Sequence, residues 1–168
     1  DSFRGAVSLL SKFSADGVQT IRELEEQTDH YEDILGSYLV KLSAHNISAQ
    51  DNAEATVLLK AISDFERIGD YGTNLEELGE KLAAEGGVFS EKAKLELSIL
   101  TDAVMDILST TVQALTENDN ELAKTIEPLE EVIDDMVRLL KDRHTKRLKN
   151  GSCSVTSGLV FMDALTHL

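Results

Sequence analysis

Thr20-Ile21-Arg22-Glu23-Leu24-Glu25-Glu26 returns 105 residues later as Thr125-Ile126-Glu127-Pro128-Leu129-Glu130-Glu131, with Thr, Ile, Leu and both glutamates in register. Asp29 and the Ile34-Leu35 pair extend the match to Asp134 and Leu139-Leu140. A second block follows, in which Leu58-Leu59-Lys60-Ala61-Ile62-Ser63-Asp64-Phe65 aligns with Phe161-Met162-Asp163-Ala164-Leu165-Thr166-His167-Leu168 at an offset of 103. Agreement over two consecutive segments in the same order marks an internal duplication, each copy being one supersecondary unit. The change of offset places a two-residue shortening in the connecting loop of the second copy.

Working outward, apolar residues recur at helical spacing: Leu9, Leu10 and Phe13; Ile21, Leu24 and Thr28; Leu58, Ile62 and Phe65. No stretch alternates long enough to argue for a strand. Breaks fall at Ser14-Ala15-Asp16-Gly17, His45-Asn46-Ile47-Ser48, Gly86-Gly87-Val88-Phe89-Ser90, Asn118-Asp119-Asn120 and Asn150-Gly151-Ser152, where capping residues gather. Six helices are expected, near 1–14, 16–46, 49–85, 90–117, 120–149 and 153–168. Ser48 with Asp51, and Asn118 with Glu121, have capping-box spacing. Pro128 either bends the fifth helix or marks its true start, because proline lacks the backbone donor and crowds the preceding turn. The expected fold is all-α: two repeated three-helix bundles, residues 1–86 and 87–168, the second truncated at its C-terminus.

Composition fits this reading. Of 168 residues 42% are apolar but only 5% aromatic, so Leu, Ile, Val and Ala must fill the core. A length of this order suits one domain or two small bundles sharing a core. The 31 acidic residues outnumber 16 basic ones, giving a net charge of −15. Such a field repels nucleic-acid phosphates and anionic membrane surfaces and attracts cations. Cys153 is the only cysteine, which excludes an intrachain disulfide, and a reducing cytoplasm is the expected compartment. There is neither an apolar run near 18 residues nor a charged-then-apolar leader.

Carboxylates form two stripes at four-residue spacing, Glu25-Asp29-Asp33 and Glu66-Asp70-Asn74. On one helix face such like charges lie roughly 6 Å apart and repel by a few tenths of a kcal/mol unless a cation stands between them. Random placement of 31 acidic residues would give about six such pairs, so spacing by itself is compatible with a solvated acidic face. Glu66 and Asp70 lie well off the Leu58, Phe65 and Ile68 stripe, and any cluster there would be superficial.

Asp64-Phe65-Glu66-Arg67-Ile68-Gly69-Asp70 closely resembles the third-helix signature of the PhoU family of phosphate-regulatory proteins. Glu25 to Asp29, and Glu130 to Asp134, resemble that family's second-helix acidic motif. The resemblance covers essentially the whole chain. It implies a surface metal cluster held by Glu25, Asp29, Glu66 and Asp70, with Glu130 and Asp134 as half of a second site whose partner half would follow Leu168. Iron is the metal implied first, with zinc or manganese as alternatives. Asp51-Asn52-Ala53-Glu54-Ala55-Thr56-Val57 stands where free-standing members carry a Pro-Val-Ala-like stretch, so the chain looks more like the PhoU-type cytoplasmic domain of bacterial sodium/phosphate cotransporters. The partner implied is a phosphate transporter or its membrane portion, met at the inner face of the cell membrane, and a homo-oligomer is compatible with the family.

In the bare residues, Ile68 is expected to point into the core, Gly69 to admit a neighbouring helix, and Arg67 to pair with an acidic neighbour. Arg138, Lys141, Arg143, Lys146, Arg147 and Lys149 crowd the end of the fifth helix, where cations complement its dipole. An enzyme of ferritin type would need Glu-x-x-His pairs, yet the residues three before the histidines are Gln27, Leu42, Lys141 and Ala164. His30, beside Asp29, is the one histidine placed to serve as an accessory ligand. The functional expectation is a non-enzymatic regulator of phosphate uptake, the alternative being a structural acidic module without metal.

Overall fold

The computed structural model describes residues 2–45 and 47–168; Asp1 and Asn46, the latter in an expected interhelical break, lie outside the described residues. Among the described residues seven helices follow one another: α1 (Ser2–Ser11), α2 (Ala15–Ser43), α3 (Ala49–Ala84), α4 (Glu91–Glu117), α5 (Asn120–Ala123), α6 (Ile126–Lys149) and α7 (Val155–His167). Among the described residues there is no strand.

Local chemistry sets the boundaries. Ser48 accepts from the amide of Asp51 while the Asp51 carboxylate reaches back to the Ser48 amide, so the expected capping box is formed. Ser14, Ser90 and Ser154 cap α2, α4 and α7 through their hydroxyls. The expected Asn118–Glu121 box is replaced by a division of labour. Asn118 closes α4 in the left-handed conformation (φ 51°), and Asp119 caps α5 by accepting from the amides of Glu121 and Leu122. Pro128 is the third residue of α6, after the turn that separates α5 from α6. It therefore marks the helix start, the second of the two readings, where its missing donor is one of the orphans.

The duplication is visible in these caps. Ser14 and Asp119, the caps of α2 and α5, stand 105 residues apart. The connections 44–48 and 150–154 are equal in length, and the caps Ser48 and Ser154 stand 106 apart. The register shift therefore falls inside the helices that follow: α7 is shorter than α3 in its opening turn, and the loop is unchanged.

Helices α1, α2 and α3 pack on one another, and α4 packs on α6, which packs on α7. The two groups are joined by α3 against α7 and α1 against α4, and one continuous apolar cluster runs through both. Its centre holds Leu75 of α3, Leu97 and Leu100 of α4 and Phe161 of α7, all fully buried. Helix α7 runs antiparallel to α3. Tyr71 and His167 approach with ring centroids 6.2 Å apart, and a Cβ at Gly87, just past α3, would sit 3.1 Å from Ser157 near the start of α7. Of the three glycines within α3, Gly79 has the tightest surroundings: a Cβ there would meet Leu9 at 3.0 Å, whereas at Gly69 it would find Thr28 at an ordinary 3.8 Å. Leu58 and Phe65, expected in the core, remain 49% and 43% exposed, and Ile68 is only half-buried.

Candidate functional site: an acidic face between α2 and α3

Thr28 of α2 lies against Gly69 of α3, and the carboxylates gather around that contact. Glu25 and Glu32 flank Thr28 one turn before and after it, with Asp29 adjacent; Glu66 and Asp70 flank Gly69. Partial burial, followed by the charges of Asp29 and Asp70, raises the Glu25 carboxyl above its ordinary value of 4.5. Glu66 is raised in the same way, by partial burial and then by Asp70, Glu32 and Asp29. Each glutamate thus feels charges from both helices, as it must if the two stripes face one another.

Glu25, Asp29, Glu66 and Asp70 are therefore brought together, and none forms an ion pair with a basic side chain among the described residues. Arg67 turns instead to Asp64 at 4.0 Å along its own helix. Glu32 joins the face and was missed in the sequence, where Asp33 was preferred. The signal was present: Glu25, Asp29 and Glu32 have the i, i+4, i+7 spacing of one helical stripe, whereas Asp33 has drifted to the exposed side. His30 is exposed, 6.3 Å from the ring of Tyr31.

All-oxygen donors of this kind suit hard and borderline cations. The set fits such an ion in charge and donor type. Its side chains as they stand do not, because no three Asp, Glu, His or Cys side chains among the described residues meet at one ligation point. Glu130 and Asp134 are exposed on α6 and line a trough of about 370 Å³ with Ile133, Tyr71, His167 and Leu168. No further carboxylate lines that trough.

A second polar cluster was not foreseen. Glu96 of α4 is buried and meets Arg147 of α6 at 2.6 Å, with Arg143 at 3.7 Å. Arg147 Nη2 donates to His144 Nδ1 at 3.1 Å, and its guanidinium lies 5.3 Å over the Phe161 ring. His144 stacks on the same ring at 4.4 Å. Burial first, and then the Arg147 charge, lower the His144 pKa below 6.5. Two of the expected dipole-complementing cations thus neutralise a buried carboxylate. In the first group, Arg22 grips the fully buried Glu76 through Nε and Nη2 at 3.2 and 3.0 Å and reaches Glu80 at 3.0 Å. Burial still holds the Glu76 carboxyl above its ordinary range, outweighing Arg22.

Fold and site define a class: a duplicated all-helical bundle with an acidic face on neighbouring helices and no further catalytic constellation singled out by the sequence. The chain belongs to the PhoU domain family, whose profile matches residues 1–78 and 97–168. It is 25% identical over 130 residues to a phosphate-specific transport system accessory protein PhoU homolog of Pseudomonas putida, covering 77% of this chain and 50% of that one. A protein of the same description from Deinococcus radiodurans is 22% identical across 94% of this chain and 73% of its own length. PhoU homolog 1 of Thermotoga maritima is 30% identical across 62% of this chain and 44% of its own. The chain therefore spans about half the length of the first of these relatives. The crystal structure of PhoU from Pseudomonas aeruginosa superposes with a TM-score of 0.88 over 99% of this chain and 79% of that one, at 20% identity, a likeness of fold.

Proposed function

We propose that this chain is a non-enzymatic regulatory domain acting on phosphate uptake, and that its acidic α2–α3 face holds metal ions. The observation that carries the metal reading is the meeting of Glu25, Asp29, Glu32, Glu66 and Asp70 across two helices, none of them ion-paired to a basic side chain among the described residues. Charge of one sign held together at a protein surface is costly, and a cation offsets the cost. When bound, the metal would supply charge compensation and a link between α2 and α3. The chain's own part is to fix the spacing of those helices through the Thr28–Gly69 contact. The regulatory reading is supported by the relatives, which are accessory proteins of phosphate-specific transport.

The partner proposed is a phosphate transport system. Attachment to the membrane portion of a cotransporter is a finer reading that rests on Asp51–Val57 alone. No helix among the described residues is long and apolar enough to cross a membrane.

A second reading, an acidic structural module without metal, is favoured by one observation: no three candidate ligands already converge. Metal analysis of protein purified without an affinity tag separates the two. Asp70→Asn and Glu66→Gln should sharply lower bound iron, zinc or manganese while leaving helicity unchanged. Equal metal content in variant and parent would leave the structural module as the function.

A further inference from the structure

A cavity of about 400 Å³ lies between the loop leading from α3 into α4, the later turns of α6 and the loop leading into α7. Two helix starts border it, α4 through Ser90 and Ala93 and α7 through Ser154 and Ser157, and His144 and Arg147 of α6 line it as well. The chain carries 31 acidic residues, yet among the described residues no carboxylate lines this cavity. Glu91, the first residue of α4, turns to Lys94 at 2.8 Å instead.

The hydrogen bonds leave donors over. Arg147 can only donate, so Nδ1 of His144 must accept from it, and the proton of the neutral imidazole sits on Nε2. His144 is 1% exposed, and this Nε2–H has no acceptor among the described residues. A Cβ on Gly158 would come within 3.2 Å of Nε2, which places the N–H against the first turn of α7. The Gly158 backbone favours that proton without reaching hydrogen-bond geometry. In Arg147, Nη1 is engaged with Glu96, but Nε is a second buried donor without an acceptor among the described residues. Ser157, 2% exposed, accepts at Oγ from the Ser154 hydroxyl at 2.9 Å and keeps its own hydrogen to donate.

Charge points the same way. Arg143 and Arg147 share the single carboxylate of Glu96, so one positive charge of the three groups is left over. At each helix start the serine satisfies one leading amide, that of Ala93 in α4 and that of Ser157 in α7, and the amides before them keep the positive end of the helix dipole. The net charge of −15 opposes an anion at long range, but salt weakens that field beyond about 8 Å, whereas these donors act in contact. A buried N–H without an acceptor is costly until one arrives from solution. A single water would satisfy part of this set and leave the charge; a tetrahedral oxyanion offers several acceptors and the matching charge.

We propose that this cavity binds a phosphoryl-type oxyanion, inorganic phosphate or the phosphate end of a small phosphomonoester, with His144 Nε2, Arg147 Nε and the Ser157 hydroxyl as donors. The site is separate from the α2–α3 face and needs no metal there.

Cys153 lines the same cavity, is half-buried, and reports its occupancy without any substitution. In the complete protein, stripped of metal so that phosphate cannot act through the acidic face, saturating inorganic phosphate should slow alkylation of Cys153 by iodoacetamide at least about fivefold against chloride at equal ionic strength. Peptide mass analysis reads that one thiol. Glycerol 3-phosphate is the ester arm, and whichever ligand protects at the lower concentration is the source. Ser157→Ala should raise the half-protecting concentration about tenfold, the scale of one hydrogen bond to a charged group, and His144→Leu should do likewise with helicity unchanged. An unchanged alkylation rate with both ligands would overturn the proposal and leave the donors to water, and equal protection by chloride would reduce it to ionic strength. Protection undiminished by either substitution would also overturn it, because the anion would then sit elsewhere.

Discussion

The molecule treats its carboxylates in two opposite ways. Between α4 and α6, Glu96 is buried and meets Arg147 and Arg143, with His144 alongside. Between α2 and α3, four of the five carboxylates on the face are from the two sequence stripes, and all five sit half-buried or exposed without a basic partner among the described residues. A charge taken out of water requires a counter-charge within the fold, whereas a charge left near water can wait for one from solution. The first arrangement is structural, and the second is where the proposed metal would sit.

The sharpest way to break this contrast is to remove the counter-charge inside. Arg147→Met strands Glu96 and should cost about 3 kcal/mol, the scale for breaking a buried pair. For a chain of this size that is a fall of roughly 6–12 °C in Tm, measurable by thermal unfolding. A change below about 1 kcal/mol would mean that Arg143 or solvent satisfies Glu96 alone, and the two regions would no longer differ in kind.

Helix approach offers the next test. Gly79→Val drives a branched side chain into Leu9 and should cost about 1–3 kcal/mol in denaturant unfolding. Gly69→Ala, at the acidic face, meets Thr28 at ordinary contact and should instead stabilise the helix by up to about 1 kcal/mol. Destabilisation by Gly69→Ala would show that the acidic face needs the closer approach that Gly79 already uses.

Acid should move the two regions in opposite directions. Glu25 and Glu66 have raised pKa values, so in metal-free protein their contribution is favourable in acid and is lost as pH rises through their range above 4.5. His144 has a lowered pKa, so its contribution is present above 6.5 and is lost as pH falls through the range below it. Glu66→Gln should therefore gain more, relative to the parent, at about pH 7 than at about pH 4, and His144→Gln should flatten the loss below about pH 6. Unfolding series across pH read both slopes. The smallest effect is Asp70→Asn in chelator-treated protein, a gain of about 0.2–0.5 kcal/mol from relief of like charge.

What was legible in the sequence follows from the same physics. The Ser48–Asp51 box and the repeat could be read because caps and helix periodicity are local, and the acidic stripes could be read because i, i+4 spacing fixes a face. Glu32 was passed over because a strict four-residue ladder drifts around a helix of 3.6 residues per turn. Glu96, His144 and Arg147 were illegible as a cluster because 48 positions separate Glu96 from His144 and no local pattern joins them. Gly69 and Gly79 look alike in sequence, and only the neighbours, Thr28 or Leu9, tell a loose contact from a tight one. Phe65 looked like core because periodicity reports which face is apolar, without reporting what covers it.

The pairing of α3 with α7 has a consequence for how the chain is made. Tyr71 meets His167 across 96 positions of sequence (167 − 71), while α1, α2 and α3 are consecutive and pack on one another. During synthesis the first three helices can therefore assemble as soon as they leave the ribosome, and the flank of α3 that awaits α7 stays wet until nearly the last residue described has been added.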